Sequence, residues 1–78
     1  MDLLDLKALE RENDNLYVFI QLIEFDQMIK KSNFLDAFIL LVTTLSNIKN
    51  KEVKNNLIIE HHDFIRNFIF NNLEYKLW

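Results

Sequence analysis

The chain has 78 residues, half of them hydrophobic and seven of them Phe, with a formal net charge of −3 and no Gly, Pro or Cys. Without cysteine there are no disulfides and no thiolate-bound zinc, and net acidity argues against nucleic acid as the main ligand, since phosphate binding requires a basic footprint. Without Gly or Pro most tight β-turn chemistry is missing.

Helices joined by Asn- and Lys-containing loops need neither residue, because Asn tolerates the left-handed conformation that ends helices. The expected fold is therefore all-α: a small antiparallel three- or four-helix bundle or helical hairpin, with residues 1–78 as a single domain. A domain of this size buries only about 60% of its unfolded surface. So large an apolar load in so small a body predicts completion by oligomerisation or by a protein partner. Charge is uneven, with seven acids against Lys7 and Arg11 in residues 1–29, and five lysines against Asp36 and Glu52 in residues 30–54.

The segment from Leu3 to Ile29 has two readings. In one, Asn13-Asp14-Asn15 ends a short helix and Asn13 or Asp14 caps a second that begins near Leu16. In the other a single helix runs through, and Leu6, Leu9, Asn13, Leu16, Ile20 and Ile23 follow the 3-4-3-4-3 spacing of a heptad seam. Asn13 then falls at position a, where a single polar residue fixes register and dimer state. Gln27 and Lys30 occupy the next a and d positions and weaken the seam. Residues 16–29 are apolar on two sides, with Leu16, Phe19, Ile20 and Ile23 on one and Val18, Leu22, Phe25 and Ile29 on the other. A helix covered on most of its circumference belongs inside a bundle or an assembly.

A second helix is expected over residues 33–48, capped by Ser32 or Asn33, with Asp36 placed as in a capping box. Only Asp36, Thr43 and Asn47 make a polar stripe on it; Phe34, Leu35, Ala37, Phe38, Leu41, Val42 and Leu45 cover the rest. A last helix is expected from Lys51, capped by Asn50, through residue 75. Val53, Leu57, Ile58, Phe64, Ile65, Phe68 and Ile69 gather on one face of it at about 100° per residue. Ile59, Phe70 and Leu77 form a smaller ridge opposite, and Trp78 is a candidate docking residue.

Glu60-His61-His62-Asp63 is the one cluster with a chemical look. Zinc-binding helices set two histidines at i and i+4 on one face, whereas His61 and His62 are adjacent and diverge, so no metal site is assigned. The pair His62-Asp63 looks like the core of the HD phosphohydrolase motif, but the further His and Asp ligands of that family have no counterparts here. Arg66-Asn67 resembles the start of an Arg-polar-x-x-x-His motif of helical RNases, with Asn71 and Asn72 where the His should follow. His61, flanked by Leu57, Ile65, Phe64 and Phe68, is expected to be a hydrogen-bonded core histidine. At an interface it would be pH-sensitive, weakening association below roughly pH 6 as it charges.

The sequence thus predicts a non-catalytic protein–protein interaction module, a small chaperone, adaptor or inhibitor with no cofactor. Its expected partner contacts are Val18, Leu22, Phe25, Phe38, Leu41, Ile59, Phe70, Leu77 and Trp78. The alternative is a small dimeric regulator of nucleic acid or of a nucleic-acid-binding protein, using Lys49, Lys51 and Lys54 or the acidic first helix. A metal-dependent hydrolase built on His61 and His62 ranks last. With an acidic N-terminus and no run of about 20 apolar residues, the chain is expected to be cytoplasmic and without a membrane span.

Overall fold

A computed structural model describes the backbone of residues 3–77 and the side chains of residues 6–71, and its regular structure is all helical. The helices are α1 (Leu3–Lys30), α2 (Phe34–Asn47), α3 (Lys51–Glu60) and α4 (His62–Leu77).

Of the two readings of the N-terminal segment, the continuous helix is the one observed. Asn13-Asp14-Asn15 does not interrupt it, because Asp14 does not compete for its own backbone, the usual way an Asp weakens a helix. Its carboxylate instead reaches across to the α2–α3 connection, where Oδ2 accepts hydrogen bonds from the backbone N–H of Lys49 at 3.1 Å and of Asn50 at 2.7 Å. Asp14 is only 7% exposed. Two further bonds join α1 to the same corner: Arg11 Nη2 donates to Glu52 Oε2 at 3.0 Å, and Asn47 Nδ2 donates to the Tyr17 hydroxyl at 3.0 Å.

α1 ends in a Schellman arrangement. The Asn33 N–H bonds to the Met28 carbonyl and the Ser32 N–H to the Ile29 carbonyl, with Ser32 in the left-handed region at φ 61°. Lacking glycine, the chain puts a serine there and bears the steric cost of its Cβ. Asn33 precedes α2 but makes no side-chain capping bond, so the expected capping box does not form. Asn50 does cap α3 as expected: its Oδ1 accepts from the N–H groups of Glu52 and Val53 at 3.0 and 3.1 Å.

The single C-terminal helix expected over residues 51–75 is two helices, interrupted at His61 (φ −110°, ψ 17°). Both the His61 N–H and its ring Nδ1 lie within hydrogen-bond reach of the Leu57 carbonyl, at 3.1 and 3.0 Å. A carbonyl can only accept, so Nδ1 carries the proton in this contact. The side chain thereby occupies the last turn of α3, and the chain restarts as α4. The ring shares the Leu57 carbonyl with the backbone N–H, and the break lies in the non-helical dihedrals of His61 itself.

The core lies where α1, α2 and α3 meet, and comprises Phe25, Ala37, Leu41, Ile48, Val53 and Leu57. Val18, Leu22, Met28, Ile29, Leu40, Leu45, Phe64 and Ile65 pack around it, half-buried. Thr44 is buried among them, its hydroxyl donating to the Leu40 carbonyl at 2.7 Å. α4 joins through aromatic contacts. Phe68 stacks on Phe38 with centroids 4.2 Å apart, while Phe64 and His61 each meet Phe25 edge-on, at 5.1 and 5.2 Å.

Candidate functional site

The heptad lettering of α1 decides which side of the helix is covered. With Leu6, Asn13 and Ile20 at a and Leu9, Leu16 and Ile23 at d, position f lies opposite the seam. Apart from the exposed Asn15 at c, the b, c and f residues from Asp14 onward (Asp14, Val18, Gln21, Leu22, Phe25, Met28 and Ile29) are all buried or half-buried. They face α2, α3 and α4. Every a and d residue from Leu6 to Ile23 is exposed, Asn13 included. Beside them, at a g position, Phe19 is 63% exposed and Leu16 at d is 62% exposed. The seam and the packing face therefore occupy opposite sides of one helix.

This reverses the expected assignment on α1. Phe25, expected to meet a partner, is a central core residue, and Val18 and Leu22 are packed against that core. On α2, Leu41 is likewise buried and Phe38 is stacked on Phe68. The physical reason is common to both helices. Each is apolar on two sides, so periodicity shows two packing faces without saying which one the rest of the chain covers. The uncovered side of α2 carries Leu35, Ile39 and Val42, spaced i, i+4, i+7. Ile59 and Phe70 are exposed at 71% and 62%; the side chain of Leu77 and all of Trp78 lie outside the described residues.

Two concavities border these apolar surfaces. A cleft of about 430 Å³ is lined by Phe34, Phe64, Asn67, Phe68 and Asn71. A second, of about 310 Å³, runs beside the N-terminal half of the seam, lined by Leu6, Leu9, Glu10, Asn13, Asp14 and Lys49. The flanks of the seam carry the acids Glu10, Glu12, Glu24 and Asp26, while Lys49 and Lys51 stand exposed at the α2–α3 corner.

The histidine cluster does not converge. His61 points into the α1–α4 contact and is half-buried, whereas His62 is exposed and its Nδ1 lies 3.8 Å from the carboxylate of the adjacent Asp63. Among the described residues no three His, Asp or Glu side chains are grouped so that they could hold a metal ion. No helix among them is long and apolar enough to cross a membrane. Comparison adds no relative: no protein-family model, curated protein or solved structure matches the chain.

Proposed function

We propose that the protein is a non-catalytic interaction module whose working surface is the outward a/d face of α1, widened by Phe19. The observation behind this reading is that Leu6, Leu9, Leu16, Phe19, Ile20 and Ile23 are all about half exposed or more. Their combined exposed area is on the order of 600 Å², at or beyond the largest apolar patch of an ordinary monomer, about 300–600 Å². Isolated exposed apolar residues are unremarkable; a stripe of them at helical spacing, interrupted only by Asn13, is what a partner helix fits. Chaperone, adaptor and inhibitor are all roles such a surface serves.

The test is the native size of the chain in extracts of its own cells, for the wild type and for a Leu16→Glu/Ile20→Glu variant. Both substitutions fall on exposed positions and leave the core intact. The wild type should migrate in an assembly larger than the lone chain, and the variant should shift to the size of a single chain. If both migrate as single chains, the module reading fails.

A further inference from the structure

Resting on that reading, we infer that the occupant of the α1 stripe is α1 of a second copy, forming a parallel, in-register two-helix coiled coil with Asn13 paired to Asn13 across the dyad. Three observations converge on it. The stripe follows a 3-4-3-4-3 spacing over 18 residues, short enough for it to stay on one side of the helix and face a second helix throughout. The polar residue in the seam is an Asn at position a, where parallel dimers satisfy it by pairing it with its own copy. Area permits it: two stripes of on the order of 600 Å² each come to the low end of the about 1,200–2,000 Å² that stable interfaces bury in total.

Charge distinguishes the parallel arrangement from its reverse. In parallel register the g-to-e′ neighbours are Glu12 with Tyr17, Phe19 with Glu24, and Asp26 with Lys31 of the second copy. The last is an opposite-charge pair at the C-terminal end of the seam. An antiparallel match of the apolar layers would instead set Asn13 against Leu16, leaving its amide unpaired, and would take Asp26 away from Lys31. Lys30, at d, closes the seam.

The seam spans 18 residues, roughly 27 Å at 1.5 Å per residue, and a free peptide of that length would be marginal. Here the opposite face of the helix is held from Asp14 onward by the rest of the chain, so little ordering remains to be done on association.

The experiment uses the purified full-length chain in sedimentation equilibrium, with a Gln27→Cys variant under mild oxidation. Gln27 lies at a beyond the apolar part of the seam, and the natural chain has no other thiol. The expected result is a dimer of twice the 9.5 kDa chain mass. Leu16→Glu should weaken it by at least about thirtyfold, and Gln27→Cys should form a covalent dimer, as only parallel register brings position 27 to itself. A monomer at every concentration overturns the inference, as does a dimer indifferent to Leu16→Glu or one that Gln27→Cys fails to cross-link. If the purified chain is monomeric while the native assembly still collapses with the seam variant, the module reading stands and only the second-copy occupant is lost.

Discussion

Asp14 and Ser32 show how single side chains set the geometry of a small helical protein. The Asp14 carboxylate ties the middle of α1 to two backbone amides that the three-residue connection Ile48–Asn50 cannot satisfy by itself. Asp14→Ala strands both amides and should destabilise the fold by about 1–3 kcal/mol, read as a lower urea midpoint with an unchanged slope. Ser32 acts in the opposite sense, as a local cost. Ser32→Gly relieves the left-handed strain at φ 61° and should raise stability by about 0.5–1 kcal/mol in the same titration. Neither role was legible beforehand. The Asn13-Asp14-Asn15 cluster carries the signature of a helix boundary, and what overrides that signature is a tertiary bond to residues some 35 positions away. Ser32 was named only as a cap candidate, and a serine carries no signal for the left-handed position that its backbone takes.

At the scale of elements, the span of α2 was readable from periodicity and the start of α3 from its cap, while the continuous α1 was one of two readings. The Asn50 cap is a local signal, and Asn50→Ala should cost about 1 kcal/mol. The break at His61 was not readable, since the apolar pattern from Val53 to Ile69 continues through it. At the break the His61 side chain bonds to a carbonyl four residues earlier and meets Phe25 edge-on, and the second contact exists only once α1 is in place. His61→Ala should therefore cost about 1–2 kcal/mol, through the lost hydrogen bond and ring contact. It should also increase hydrogen exchange at the α3–α4 junction more than in α2. The proposed working surface was half legible. Two apolar sides of α1 could be named from the sequence, but the side that stays open depends on which one α2 and α3 cover, and that choice is made by packing. Ile59 and Phe70, set off from the main apolar face, were assignable to the surface; Phe25 and Leu41, in the midst of apolar sequence, were not.

For the whole molecule the decisive quantity is how little the chain encloses. Among the described residues six hydrophobic side chains are buried, whereas fourteen large ones are exposed. The radius of gyration is 14.9 Å, with principal extents of 56, 24 and 16 Å; a compact domain of this length would have a radius of about 11.5 Å. A thin body built along one long helix has a high ratio of apolar surface to core. Loss of a core side chain should therefore be felt strongly, with Leu41→Ala costing about 2–5 kcal/mol in thermal or urea unfolding. Loss of a seam side chain should leave the fold alone and act on association. We propose that one face of α1 builds the protein and the opposite face connects it to another chain. Hydroxyl-radical footprinting across a dilution series, and again in native extract, tests it directly. Leu16, Phe19, Ile20 and Ile23 should be protected in concentrated protein or in extract and become reactive on dilution of the purified chain, while Phe25 stays protected throughout. Seam residues that oxidise as freely in extract and at high concentration as at low would contradict the account.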